Sequence, residues 1–287
     1  MNGLDILIRS MSIASPGTPG GKRFQYGNLW QYHPRSDRHS KIACWSIIFD
    51  LLNESTLLLN HVAARKVAIG INRPMRDFAR NRAKNLDLVI CRLSASDTTL
   101  SQDFADLTQK YVIILSQEER TVLERFPKLP IARPATVLVA LEAKACMTEF
   151  GKARPRLYDE LNSSHLTIHG DTNSAIAAGF AMINIAETFI SPLRNPWSLA
   201  EHDPFVSRHR QPADARSAVE KILELPRRSD TTSEGFDAFG IAIVYCANDG
   251  RPVGRFDEPL MGAAASFAYH HLIGRLAHLY ATRFHVL

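Results

Sequence analysis

The chain has 287 residues, 45% of them hydrophobic, with a formal charge of +5 and a pI near 9.1. That apolar content over that length buries a sizeable core, in one large domain or two small ones, and excludes a disordered chain. The small basic surplus favours an anionic partner, nucleic acid first, without requiring one.

Cys44, Cys91, Cys146 and Cys246 stand far apart, form no Cys-x-x-Cys pair and mostly lie in apolar segments, so they read as buried free thiols. No N-terminal run has the basic, apolar and small-residue parts of a signal peptide, and no apolar stretch reaches the roughly 20 residues that span a bilayer. The expectation is a soluble protein of a reducing cytoplasm with no membrane contact.

In chain order, about residues 1–36 form a flexible N-terminal segment, a short amphipathic piece running into the turn-rich Ser15–Lys22. Its Gly20-Gly21-Lys22 is no phosphate loop: the first Gly of that pattern falls on Pro16, its Ser/Thr on Arg23, and no strand leads in. From Asp37 to Leu59, Ile42, Trp45, Ile48, Phe49 and Leu52 recur at helical spacing, with Asp37 as N-cap and Lys41 and Asp50 elsewhere on the wheel. Lys66–Ile71 reads as a strand and Asn72–Lys84 as a basic connection. Leu86–Cys91 is then a short apolar strand carrying one carboxylate, Asp87.

Ser101–Lys110 is expected to be helical and Tyr111–Leu115 a buried strand. Ser116 with Glu119 makes a capping box for a helix to about Phe126, closed by Pro127 and Pro130. Pro134 opens the next strand, Ala135–Lys144. In that strand Glu142 and Lys144 share one face while Leu141 and Ala143 point the other way. Charges on so apolar a strand are costly to bury unpaired, which makes function the better reason for keeping them.

Pro155 is placed to open a helix after Lys144, and Ala175–Ile190 reads as a central strand covered on both faces, with Asn184 and Glu187 as strand-end or hydrogen-bonded core groups. About 191–234 is a Pro-rich irregular excursion with one helix near Ala213–Leu225. Phe236–Cys246 is a strand, Asn248-Asp249-Gly250 turns it into Pro252–Phe256, and Ala264, Ala268, Leu272, Leu276 and Tyr280 line a helix from Ala263 to Arg283. His270, His271 and His278 form no metal set with nearby Cys or carboxylates.

Glu142-x-Lys144 at a strand end, a helix after it and Asp87 on a preceding strand together resemble the PD-(D/E)xK nuclease superfamily. No Pro precedes Asp87, and it lies 55 positions before Glu142, a wider gap than the motif usually shows; a helical insertion over about 94–130 fills it. The resemblance implies a single α/β nuclease-like domain over 1–287, with a restriction-endonuclease-like mixed central sheet flanked by helices. It implies a metal-dependent endonuclease that hydrolyses phosphodiester bonds in double-stranded DNA, using Mg²⁺ with Mn²⁺ able to substitute. Asp87, Glu142 and the Ala143 carbonyl would hold the ion, and Lys144 would orient the attacking water and offset charge on the transition state.

Arg73, Arg76, Arg80, Arg82 and Lys84 before the catalytic strands, and Lys152, Arg154 and Arg156 after them, are the candidate phosphate contacts, with a solvated cationic surface as the plain reading. Tyr158 and Glu160 could extend the polar network, against an ordinary helix-surface reading. In the family the helix before the catalytic strands sometimes supplies an extra acidic residue near the metal, for which Asp37, His39, Asp50 and Glu54 are candidates, and packing is the better account of each. The terminal hairpin and long helix look somewhat like the bacterial anti-phage DNA endonucleases that assemble as trimers and are switched on by cyclic oligonucleotides. A restriction or anti-phage role, a homo-oligomer and a nucleotide activator are therefore all in view. The alternative is a non-catalytic nucleic-acid-binding or regulatory protein in which Glu142 and Lys144 form a structural salt bridge.

Overall fold

The computed structural model describes residues 1–19, 21–93, 102–132, 136–257 and 262–287. Helix α1 (Gly3–Met11) is followed by α2 (Arg38–Glu54) and α3 (Thr56–Ala63). The apolar spacing predicts one helix to Leu59, but Ser55 turns extended and its hydroxyl accepts the Leu58 N–H, capping a second helix. Asp37 stands at the start of α2 without making a side-chain cap bond. The N-terminal segment expected to be flexible is tied down: Ile6, Leu7 and Met11 are fully buried, and Asp50 accepts the N–H groups of Asn2 and Gly3 at 3.0 and 2.8 Å. Asp50 is thus an anion at a helix N-terminus.

Strands β1 (Val67–Asp77) and β2 (Arg82–Arg92) form an antiparallel hairpin. The basic stretch expected as a connection is mostly strand, with Arg73 and Arg76 on β1 and Arg82 and Lys84 on β2. Pro74 is compatible with this because β1 is the edge of the sheet, where a missing N–H breaks no interior ladder. The insertion follows, with α4 (Asp106–Tyr111) and α5 (Gln117–Arg125); the Ser116/Glu119 capping box is present. Its closing segment covers the β1 edge, Ile69 N–H bonding the Pro130 carbonyl. The predicted starts at Ser101 and Pro134 lie outside the described residues.

Tyr111–Leu115 is not the strand its composition suggests. Val112 adopts a left-handed φ of 53°, and arginine side chains replace a sheet partner. Buried Arg38 donates to the carbonyls of Tyr111 and Val112, and Arg9 to that of Ile114.

Strand β3 (Val137–Cys146) leads through α6 (Phe150–Asp171) to β4 (Ile176–Asn184), parallel to it. Pro155 sits inside α6 rather than opening it, on an exposed position near the first turns. The short pair β5 (Thr188–Ile190) and β6 (Val206–Arg208), then α7 (Ala213–Leu223), precede β7 (Ala238–Tyr245), which lies parallel to β4. The Asn248–Gly250 turn brings back β8 (Gly254–Phe256), and α8 (Tyr269–Arg283) ends the fold. The last helix begins later than predicted, after a 3₁₀ segment at Gly262–Phe267.

The result is a mixed six-stranded sheet in the order β1-β2-β3-β4-β7-β8. Helices α1, α2, α3 and α8 share the core on one face, and α6 and α7 the core on the other. Every position of β4 is buried, as a strand covered on both faces requires. No single helix among the described residues is long and apolar enough to cross a membrane.

At the centre of β4, Gly179 makes room for the Phe239 ring on β7: a Cβ there would lie 2.3 Å from Phe239 Cε2. Gly179→Ala is therefore expected to cost about 1–3 kcal/mol by overpacking, and Phe239→Leu in the same chain to recover part of that. Urea denaturation of the single and double variants checks both directions.

Candidate active site

The site forms where β2 and β3 part. Their ladder pairs Leu88 with Leu141, and beyond that pair the Asp87 carboxylate takes the place of a backbone partner, Oδ2 accepting the Ala143 N–H at 3.0 Å. The N–H and C=O of an extended residue leave the same strand edge, so the Ala143 carbonyl opens toward the same gap. From α2, Lys41 Nζ lies 2.6 Å from Asp87 Oδ1 and the Ser40 hydroxyl donates to that oxygen at 2.9 Å. Lys41 is fully buried, its side chain 1% exposed.

Glu142, on β3, is held differently. Its Oε1 is 2.8 Å from Lys144 Nζ and 3.4 Å from Lys84 Nζ, while Oε2 is buried with no hydrogen-bond partner. Lys84 reaches in from β2 and is anchored on α6, donating to the Glu160 carbonyl and the Ser164 hydroxyl, each at 2.5 Å. Lys144 is also 3.5 Å from Glu160 Oε2, and Arg156 donates to Glu160 Oε1 at 2.6 Å. Asp87, Glu142 and Glu160 thus meet Lys41, Lys84 and Lys144 in one network. Its rim is Lys144 and Glu160, 27% and 34% exposed, with Asp87 and Glu142 behind them.

These positions pull the acids apart. Burial pushes the Glu142 carboxyl up, and the Asp87 charge adds to the push. Burial alone would raise Asp87 too, but Lys41 at hydrogen-bond distance outweighs it and holds that carboxyl below its ordinary value. Burial opposes the charge on Lys144, yet Glu142 beside it raises the ammonium well above its usual range. Lys84, more enclosed, is lowered by burial. His39, whose ring lies 4.8 Å from that of Tyr32, is brought down to about 4 by burial and is neutral at pH 7.

Of the residues singled out from sequence, Asp87, Glu142, Ala143, Lys144, Lys84 and Glu160 come together. Tyr158 does not: its ring faces Lys221 on α7, 4.5 Å from the ammonium. Lys84 is enclosed by α6 rather than turned to solvent. Arg76, Arg80 and Arg82 are exposed toward the hairpin tip. Arg82 is five residues from Asp87, about 17 Å along an extended strand. Arg80 is paired with Asp77 and Glu234, Arg76 donates to Asn81, and half-buried Arg73 has an unpartnered buried Nε. Lys152 and Arg156 are exposed on the first turns of α6, and Arg154 bonds the Phe150 carbonyl.

Lys41 and Ser40 are the residues sequence reasoning passed over. The apolar spacing of α2 predicts one buried stripe with Lys41 off it, but α2 is buried nearly all round. A lysine one turn into a helix without a polar face was the available signal.

Among the described residues no three His, Cys, Asp or Glu side chains form a metal cluster. Asp87 Oδ2, Glu142 Oε2 and the Ala143 carbonyl are hard oxygen donors of the kind Mg²⁺ takes, and they would leave it several waters. The buried, unpartnered Glu142 Oε2 is the atom that fits a cation best. The chain matches no family model, no curated protein and no solved structure.

Because Asp87 is held below its ordinary 3.8, its contribution to stability is present in full above that pH and is lost as pH falls through the lowered value. Lys41→Met strands this buried carboxylate and is expected to cost about 3–5 kcal/mol at pH 7, with a smaller loss near pH 4, where Asp87 can protonate. Thermal unfolding of both chains across pH 3–8 measures the difference.

Proposed function

We propose that the protein is a Mg²⁺-dependent endonuclease that hydrolyses phosphodiester bonds in double-stranded DNA, with a restriction-endonuclease-like arrangement of β2, β3, α6 and β4. The observation that carries this reading is the buried, unpartnered Glu142 Oε2 on a carboxylate that feels the Asp87 charge, with Lys144 on its other oxygen and Asp87 bonded to the Ala143 N–H. Asp87 and Glu142 would hold the ion, with the Ala143 carbonyl as a further ligand. The bound ion supplies polarisation of the scissile phosphate and a more acidic water. Lys144, kept protonated by Glu142, orients the attacking water and offsets the charge that develops on the phosphoryl oxygens. Glu160 and Arg156 position Lys144 from α6. The exposed cations Arg76, Arg82, Lys152 and Arg156 are the phosphate contacts this reading uses, adding salt-sensitive affinity without base readout.

A restriction or anti-phage defence setting follows from the same reading, in which a homo-oligomer and a nucleotide activator have a place. Discrete fragments from defined DNA mark site recognition, and a smear marks indiscriminate cutting. A second reading, a non-catalytic nucleic-acid-binding protein, is favoured by the pairing of all three lysines in the network.

Plasmid cleavage with Mg²⁺ and with chelator separates the two. The nuclease reading expects cleavage in Mg²⁺ only, and a loss of at least about 100-fold in Glu142→Ala and in Lys144→Ala. Metal-dependent cutting retained in both purified variants would rule out this site. The acid limb of the rate profile is expected above pH 4.5, the ordinary value of Glu142, since the ionised carboxylate is the binding form. Raising Mg²⁺ should move that limb to lower pH, because the ion favours the deprotonated acid.

A further inference from the structure

The two acids of the site are each divided between their oxygens. On Asp87, Oδ1 is occupied by the Lys41 ammonium at 2.6 Å and the Ser40 hydroxyl at 2.9 Å, leaving Oδ2, which takes one N–H from Ala143. On Glu142, Oε1 is occupied by Lys144 at 2.8 Å with Lys84 at 3.4 Å, leaving Oε2 bare. A carboxylate oxygen has about two lone-pair positions, so Asp87 Oδ1 is saturated and Oδ2 keeps one. A pair of ions about 3.5–4 Å apart, as in two-metal phosphoryl-transfer sites, is commonly held by a carboxylate whose two oxygens face two cations. Lys41 keeps Asp87 from doing that, and Lys144, with Lys84 behind it, keeps Glu142 from it.

The lysines are not free to step aside. Lys41 is 1% exposed, on a helix buried on nearly every side, and Lys84 is bonded by the Glu160 carbonyl and Ser164 hydroxyl of α6. Each ammonium also places a fixed positive charge where a second ion would sit. We infer, resting on the metal-dependent reading above, that Lys41 and Lys84 act as positioning residues that restrict the site to a single divalent cation, Asp87 and Glu142 each presenting one oxygen to it.

The test is equilibrium binding of Mn²⁺ to the full chain, read as bound ions per chain and by the electron paramagnetic resonance spectrum. Neither readout requires DNA or turnover. The wild type is expected to take up one Mn²⁺ per chain with an isolated-ion spectrum, and Glu142→Gln to weaken that uptake by about tenfold or more. Lys41→Met combined with Lys84→Met frees Asp87 Oδ1 and removes the second fixed charge while Lys144 stays on Glu142, and is expected to admit a second ion through Asp87, with the spin-coupled spectrum of a close Mn²⁺ pair; Lys41→Arg should stay at one. Two Glu142-dependent ions per wild-type chain would overturn the inference while leaving the nuclease reading intact. So would a folded double variant, checked by its cooperative melt, that still holds only one. If the double variant does not fold, the wild type and Lys84→Met are compared instead: tighter Mn²⁺ uptake or a second ion in Lys84→Met is expected, and an unchanged affinity and count would overturn the inference. No Mn²⁺ uptake by the wild type would overturn both, whereas one ion without DNA cleavage would overturn the nuclease reading alone.

Discussion

The hydrogen bond from the Ala143 N–H to the Asp87 carboxylate is the contact on which the rest of the site depends. A backbone donor between two sheet strands ordinarily meets a backbone carbonyl, and leaving one bare in the interior costs as much as a lost hydrogen bond. Using a side chain as the acceptor lets β2 leave β3 after Leu88 without that loss, and opens a gap lined by carboxylate and carbonyl oxygens in an otherwise apolar sheet. The carboxylate then needs a counter-charge, because an isolated anion in that position would protonate instead. Lys41 supplies it from α2, which is one reason a helix buried so completely keeps a lysine.

Buried charge does not by itself mark a functional group in this protein. Asp237, before β7, accepts from the Ala177 N–H and from Arg283, with Arg228 and His169 close by. Asn184 at the end of β4 donates to the Met147 and Cys246 carbonyls and accepts from Ala186 and Cys246, using its two donors and two acceptor positions in full. Both groups stitch strand ends together. Glu142 differs in one respect: Oε2 is as buried as those atoms and has no partner. Satisfied networks hold a fold, and an unmatched acceptor beside a second carboxylate is where a ligand has something to contribute.

What the sequence disclosed follows from how local each signal is. The β3 strand with Glu142 and Lys144 on one face, the capping box at Ser116 and the Asn248–Gly250 turn rest on neighbouring residues, and all are present; the apolar strand expected over Ala175–Ile190 is β4 only as far as Asn184, with Glu187 exposed and Thr188–Ile190 paired to β6 in a second sheet. The convergence of Asp87 with Glu142 across the insertion was reached only through the family resemblance. Hidden were features set by what a segment packs against. Tyr111–Leu115 has a strand's composition, but its carbonyls are met by arginines from α1 and α2. Lys41 looks like a surface lysine until α1 and α8 cover α2, and Lys84 looks like part of a cationic loop until the hairpin lies along α6. Tyr158, two positions from Glu160, is carried round the helix to α7.

The three lysines divide the work by depth. Lys41 neutralises Asp87 from within the core, Lys84 braces Glu142 against the backbone of α6, and Lys144 stands at the rim, where its ammonium touches Glu142 and approaches Glu160. Each carboxylate has a cation against it, Asp87 with Lys41, Glu142 with Lys144 and Lys84, and Glu160 with Arg156 and Lys144, which is how so many charges persist behind a rim no more than about a third exposed. In the proposed reaction a divalent ion held by Asp87 and Glu142 would add the positive charge that a phosphodiester needs there, and the exposed arginines of the β1–β2 hairpin and the first turns of α6 would guide the duplex toward it.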